Sequence, residues 1–219
     1  MPGNSDFTPA LGRPGLTWLY DIAIRLLTRE RRWKSLLVRQ VAPRPGETIL
    51  DIGCGTGSLA ILLKKASPAA IIVGLDPDPD ILDRARAKAK RAGVEIDFRR
   101  GYARDAALIG DGVASKIVSS LVFHQVPIAE KRAGLAAAYI ALQPGGTLHI
   151  ADYGLQRTAF MRRLFRQVQR LDGFENTQPN ADGILPTLMG EARFAAVSEQ
   201  AVIPTPTGSI SIYVARRPA

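Results

Sequence analysis

Three glycines at alternate positions, Gly53, Gly55 and Gly57, follow directly on Asp51 in the run Ile49-Leu50-Asp51-Ile52-Gly53-Cys54-Gly55-Thr56-Gly57. Backbone that carries no Cβ turns tightly and lets peptide groups approach a ligand, so such a loop suits a nucleotide-like molecule. The spacing differs from the Gly-x-Gly-x-x-Gly of dinucleotide sites and lacks the Lys-Ser/Thr ending of a phosphate-binding loop. Taken alone it is also compatible with a structural turn. A second carboxylate changes the weighing: Asp76, in Gly74-Leu75-Asp76, ends the next apolar run. At a neighbouring strand tip it can accept hydrogen bonds from the 2′ and 3′ hydroxyls of a ribose, and Pro77 after it offers a flat face to a purine.

His124 follows a later apolar run in Val122-Phe123-His124-Gln125. An imidazole titrates near working pH, so His124 is the candidate general base, with a packing role as its rival. His149 falls inside another apolar run and reads as structural. Arg157, Arg162, Arg163, Arg166 and Arg170 recur over one helical stretch. They suit an acidic acceptor, phospholipid head groups or plain solvent. Tyr20, Trp33, Phe160 and Tyr153 are candidates for an apolar acceptor pocket, or for ordinary core. The single cysteine, Cys54, rules out an internal disulfide framework and a cysteine-built zinc site; no metal is expected, and a reducing, cytoplasmic setting is.

These residues need a scaffold, and the pattern around them supplies one. Apolar residues at helical spacing from Leu16 to Val41 predict one or two amphipathic helices, after a Pro- and Gly-rich arm from Met1 to Gly15 that lacks the features of a secretory signal. Pro43-Arg44-Pro45-Gly46 ends them, which divides the chain into an arm and helical cap over 1–45 and a main domain over 46–219. From there strand and helix alternate. Strands are expected at Glu47–Ile52, Ala70–Leu75, Val94–Arg99, Lys116–Val122 and Thr147–Ala151, and helices at Leu59–Lys65, Asp80–Arg91 and Ala129–Leu142. Such alternation predicts a parallel sheet covered by helices on both faces. Past Asp152, helices are expected at Thr158–Leu171 and Asp182–Gly190. Strands Ala195–Ile203 and Gly208–Ala215 are joined too closely for a crossover, so they pair as an antiparallel hairpin.

Together with Leu142-Gln143-Pro144-Gly145-Gly146-Thr147-Leu148, a turn before the fifth strand, the glycine loop and Gly74-Leu75-Asp76 make the chain resemble the class I S-adenosylmethionine-dependent methyltransferases from about Glu47 to Asp152. The resemblance implies an α/β fold, a Rossmann-like, doubly wound, mostly parallel seven-stranded sheet with a C-terminal antiparallel hairpin. It implies S-adenosylmethionine as cofactor, with Asp51, Gly53, Cys54, Gly55, Thr56 and Gly57 along its methionine portion. Asp76 and Pro77 would meet the ribose and purine, and Gly101, Tyr102, Ala103 and Leu121 would complete the adenosyl side. Tyr20-Asp21 with Arg32-Trp33-Lys34 is similar to the entry segment of ubiquinone- and menaquinone-type methyltransferases, although those carry aspartate where this chain has Tyr102. The implied acceptor is a small molecule, quinone-like, aromatic or lipid-like, met by Tyr20, Trp33, His124, Tyr153 and Arg157. RNA or protein methylation and nicotinamide-dependent oxidation are the alternatives.

The formal charge of +9 is compatible with nucleic acid, an anionic membrane surface or an acidic substrate. No Asn-Pro-Pro-aromatic tetrad for a flipped base is present, and Cys54 sits in the glycine loop, so nucleic acid is not the expected partner. Peripheral contact with an anionic surface stays open. Charged residues or proline interrupt every apolar run before it reaches the roughly 18 residues of a membrane span.

Overall fold

The computed structural model describes residues 29–219. Tyr20 and the helical pattern before Arg29 lie outside them. The elements are α1 (Glu30–Val41), β1 (Thr48–Ile52), α2 (Ser58–Ala66), β2 (Ile71–Asp76), α3 (Pro79–Arg91), β3 (Asp97–Arg100), β4 (Ala114–Ser120), α4 (Ile128–Ala141), β5 (Leu142–Tyr153), α5 (Ala159–Asp172), α6 (Phe174–Ala181), α7 (Leu185–Glu191), β6 (Ala195–Thr205) and β7 (Gly208–Arg216). Short 3-10 turns occupy Ala103–Ile109 and Phe123–Gln125. One seven-stranded sheet runs β3-β2-β1-β4-β5-β7-β6. β1 to β5 are parallel, and β7 lies antiparallel between β5 and β6. The expected Rossmann-like architecture and the closing hairpin are therefore both present.

Strand order reverses between β1 and β4, because the chain winds outward to β3 on one side and then returns to start β4 on the other. In open α/β sheets the crevice for a ligand lies at the carboxyl ends of the strands flanking that point. The glycine loop leaves the carboxyl end of β1, beside it.

Alternate residues of each central strand feed opposite faces. Leu50 and Ile52 join Leu135, Leu148, Ile150 and Leu188 on the side of α4 and α7. Ile49 joins Trp33, Leu37, Leu59, Leu63 and Phe165 on the side of α1, α2 and α5. α1 thus shares the core of the main domain. α3 is started by Asp78, whose side chain accepts from the amides of Asp80 and Ile81, with Pro79 in its first turn. α5 is started by Thr158, which accepts from the Met161 amide at 3.1 Å.

Several bounds differ from the sequence expectation. β3 begins at Asp97 rather than Val94, because the Val94 amide is spent on the Ala89 carbonyl as α3 ends around Gly93. β4 stops at Ser120 although Leu121 and Val122 continue the apolar run, since Leu121 turns to a φ of +56°. β5 starts at Leu142, ahead of the Pro-Gly-Gly turn, with an irregular register against β4. The expected helix Asp182–Gly190 begins only at Leu185, and α6 precedes it unforeseen.

Candidate functional site

Gly53, Gly55 and Gly57 all adopt left-handed backbone, with φ of +67°, +52° and +70°, a conformation that costs a side-chain-bearing residue free energy. The amides of Gly53 and Cys54 both donate to the Leu75 carbonyl, at 2.8 and 3.0 Å, which ties the loop to the end of β2. A Cβ on Gly53 would stand 2.2 Å from Cγ2 of Val122, and one on Gly57 would stand 2.9 Å from Cζ of Phe98. These two glycines are required by packing as well as by φ. Gly55 is different: a Cβ there would meet nothing within 4 Å, so its bare backbone faces open space.

Asp76 is fixed against that loop. One carboxylate oxygen accepts from the Gly55 amide at 2.9 Å and the other from the Asp78 amide at 3.1 Å. Burial raises its pKa above the ordinary carboxylate value, with the two amides opposing. Each oxygen keeps a lone pair, so Asp76 can still receive two hydroxyls. Lys88 closes the other side of the loop, with its ammonium donating to the Ser58 hydroxyl and lying 3.5 Å from the Thr56 hydroxyl.

Asp51 is fully buried, and neither carboxyl oxygen has a hydrogen-bond partner among the described residues. Burial pushes its pKa up to about 7; the Lys34 ammonium pulls it down, Asp76 adds to the rise, and the nearby Ala60 amide, beyond hydrogen-bond geometry, lowers it a little. An unpartnered buried carboxyl is costly, and groups of this kind concentrate at binding sites. Open backbone at Gly55, spare acceptor capacity on Asp76 and an orphaned acid on Asp51 together fit a ligand that brings vicinal hydroxyls and positive charge.

The second wall comes from the turn after β4. Leu121 donates its amide to the Ala151 carbonyl at 2.9 Å and is one of the few non-glycine residues with positive φ, a conformation held only where surroundings over-determine it. The determinant is Asp152. One oxygen accepts from the amides of Val122 and Phe123 at 3.1 and 2.7 Å; the other accepts from the Tyr153 amide and from Nδ1 of His124, both at 2.7 Å. Nε2 of His124 lies 3.3 Å from a carboxylate oxygen of Asp172, at the end of α5. Burial alone would lower the His124 pKa, but the carboxylates of Asp152 and Asp172 override it and hold it up to about 9. Both ring nitrogens of His124 thus lie against carboxylates. Lys131 completes the knot: its buried ammonium donates to the carbonyls of Phe123, Val126 and Asn176.

The fold thus brings Asp51, the glycine loop, Asp76 with Pro77, the turn Gly101-Tyr102-Ala103 and Leu121 to the carboxyl edge of adjacent strands. Gly101 donates its amide to the Asp76 carbonyl at 3.1 Å, and the Tyr102 amide donates to Asp105 at 2.8 Å. The expected acceptor residues do not converge in the same way. Trp33, on α1, is buried in the core. Tyr153 is buried between His124 and Phe165, with ring centroids 5.0 and 4.9 Å away, and its hydroxyl meets that of Thr207. Arg157 is exposed and paired with Glu199. His149 is buried, held down to about 4 by burial and Lys116, and bonded to Thr147 within β5, as a structural residue. Asp152, Asp172 and Lys131 were missed by sequence reasoning. A buried acid at the end of an apolar strand was the available sign for Asp152; for the other two there was none. Among the described residues no cluster of three or more His, Cys, Asp or Glu is arranged to hold a metal.

Comparison with known proteins agrees with this arrangement. Residues 49–146 match a family model described as a methyltransferase domain. Over 136 residues the chain is 34% identical to a demethylmenaquinone methyltransferase of Thermus thermophilus, covering 61% of this chain and 60% of that protein. It is 36% identical over 141 residues to a ribosomal protein L11 methyltransferase of the same species, covering 64% of this chain and 50% of that protein. The matches thus span about three-fifths of the length of the first curated relatives. An O-methyltransferase family protein from Burkholderia thailandensis superposes with a TM-score of 0.70 at 17% identity, covering 92% of this chain and 59% of that one, which shows the shared fold. Residues 49–146 are thus similar to a methyltransferase domain, in a chain whose 3-2-1-4-5-7-6 sheet carries the glycine loop and the Asp76 anchor.

Proposed function

We propose that this chain transfers a methyl group from S-adenosylmethionine to a small-molecule acceptor of quinone-like, aromatic or lipid-like character. The observation that carries the reading is Asp76 bonded to the Gly55 amide beside the buried carboxyl of Asp51, which has no hydrogen-bond partner among the described residues. The acceptor class rests on similarity to the demethylmenaquinone methyltransferase.

When bound, the cofactor supplies an electrophilic methyl group on a positively charged sulfur. Asp76 receives the ribose hydroxyls, while Pro77 and the Gly101-Tyr102-Ala103 turn border the purine. Gly53, Cys54, Gly55, Thr56 and Gly57 hold the methionine portion, and Leu121 walls it from the β4 side. Asp51 offsets the ligand's positive charge from beneath. The residues orient the acceptor in line with the methyl group, and orientation alone can supply a large share of the rate. For His124 the geometry favours positioning over base chemistry: it pins the turn after β4 to β5 through Asp152 and to α5 through Asp172. The buried Cys54 suits a reducing, cytoplasmic setting.

Isothermal titration of the full chain with S-adenosylhomocysteine tests the cofactor assignment. The parent binds, and Asp76→Ala weakens binding at least tenfold, the worth of one charge-assisted hydrogen-bonding group. Equal affinity in the two proteins would remove Asp76 from the site. The likeness to the ribosomal protein L11 methyltransferase supports a second reading, a protein acceptor. Methyl-transfer assays against hydroquinones and against basic ribosomal proteins distinguish the two.

A further inference from the structure

α5 is anchored by few residues and presents the rest outward. Phe165, Val168 and Gln169 are its buried positions, and no Asp or Glu occurs between Arg157 and Leu171. At 100° per residue Arg163, Arg166 and Arg170 fall within a narrow stripe on the exposed side, and none of the three makes an ion pair among the described residues. Phe160 and Leu171 line one flank of that stripe, 64% and 59% exposed. On the other flank Phe174, at the start of α6 and 62% exposed, shares a shallow cavity with Arg162 and Arg166.

We propose that this face docks on the surface of an anionic lipid bilayer, with the guanidinium groups on lipid phosphates and Phe160, Leu171 and Phe174 in the glycerol and upper acyl region. Charge complementarity and the flanking apolar side chains select this partner together. Guanidinium groups alone would suit any polyanion, but an exposed leucine and two phenylalanines on the flanks are costly in water and gain only where an apolar phase adjoins the phosphates. Arginine fits the role because its stem lies along apolar surface while its fork meets phosphate oxygens. The face stands on its own residues and does not depend on which cofactor or acceptor the chain uses.

The test is co-sedimentation of the full chain with vesicles of phosphatidylcholine alone and with vesicles of equal parts phosphatidylcholine and phosphatidylglycerol. Binding is expected only to the second and only at low salt, because screening shortens the reach of the charges. The triple variant Arg163→Glu, Arg166→Glu, Arg170→Glu is expected to lose binding by about a hundredfold or more, and Arg163→Ala alone about fivefold. The double variant Phe160→Ser, Leu171→Ser keeps every charge and is expected to lose about tenfold or more. All five side chains are exposed, and far-ultraviolet circular dichroism checks that each variant folds as the parent does. Absence of binding to phosphatidylglycerol vesicles overturns the proposal. So does full binding by the apolar double variant, especially with equal retention on polyuridylate, which would make the stripe a surface for nucleic acid instead.

Discussion

Asp51 carries a carboxyl that burial takes far from its behaviour in water. With a pKa pushed up to about 7 by burial, its carboxyl is roughly half ionised at neutral pH, and the ionised form is the one that a positively charged ligand stabilises. Affinity for S-adenosylmethionine should therefore rise as pH rises, by about tenfold between roughly pH 6 and 8. S-adenosylhomocysteine, which lacks the sulfonium charge, should show a shallower rise, and Asp51→Asn should flatten both; titration calorimetry across that range reads each slope. The same shift has a consequence for stability. A carboxyl whose folded pKa is raised stabilises the fold below its unfolded value near 3.8, and that contribution is lost as pH climbs through about 7. The ligand-free Asp51→Asn protein should then be more stable than the parent above neutrality, by about 1–3 kcal/mol in urea titrations. An unchanged or lower midpoint would mean that Asp51 finds a partner in solution. The identities of Asp51 and Asp76 were legible in the sequence because glycine spacing and strand ends mark them. Their ionisation was not, since it depends on how deeply α1 and α2 cover the strand.

At the scale of elements, the turn after β4 is held by groups drawn from three parts of the chain. Asp152 comes from β5, Asp172 from the end of α5 and Lys131 from α4, and all meet at Phe123 and His124. Nothing local to Val122-Phe123-His124-Gln125 announces this, and an isolated histidine beside a predicted site reads as a base for that reason. The protonated state of His124 contributes stability that is fully present below the unfolded value near 6.5 and is lost as pH rises through about 9. His124→Gln leaves two acids short of a cation, so it should cost about 2–4 kcal/mol near neutral pH, and the deficit should shrink above about pH 9. Urea denaturation of parent and variant at both pH values measures this; a loss of turnover with no loss of stability would instead support the base role. α6 escaped notice on related physical grounds. Its sequence, Phe-Glu-Asn-Thr-Gln-Pro-Asn-Ala, carries residues with weak helical preference and an internal proline, Pro179, and it is tertiary ties that hold it. Asn176 donates to the Gln125 carbonyl at 3.1 Å and Asn180 to the Tyr153 carbonyl at 3.0 Å. By contrast α3, rich in Ala, Lys and Arg and capped by Asp78 and Pro79, was legible almost to its ends.

For the whole molecule the decisive element is the last one. β7 inserts between β5 and β6, and its alternate side chains serve both cores: Tyr213 and Ala215 on the side of α4 and α7, Ile210 and Ile212 on the side of α1, α2 and α5. It also supplies the hydrogen-bonding partner for the free edge of β5 from Thr147 to Tyr153, the strand that carries Asp152. Sequence alone predicted the hairpin from a short connection but could not place it against β5, because strand order depends on contacts between distant segments. The arrangement implies an asymmetry between the two hairpin strands. Ile212 is fully buried, so Ile212→Ala removes methyl groups from a packed interior and should destabilise by about 2–5 kcal/mol. Val202, on the outer strand, is 40% exposed, and Val202→Ala should cost less than about 1 kcal/mol. If β7 also braces the site, Ile212→Ala should weaken S-adenosylhomocysteine binding under conditions where it is still folded, because Asp152 on the paired strand fixes the turn that carries Leu121. Val202→Ala should leave that affinity unchanged. Urea titration and calorimetry on the same two variants check both halves, and equal costs at the two positions would show that the hairpin is a rim on the sheet, with no part in holding the site together.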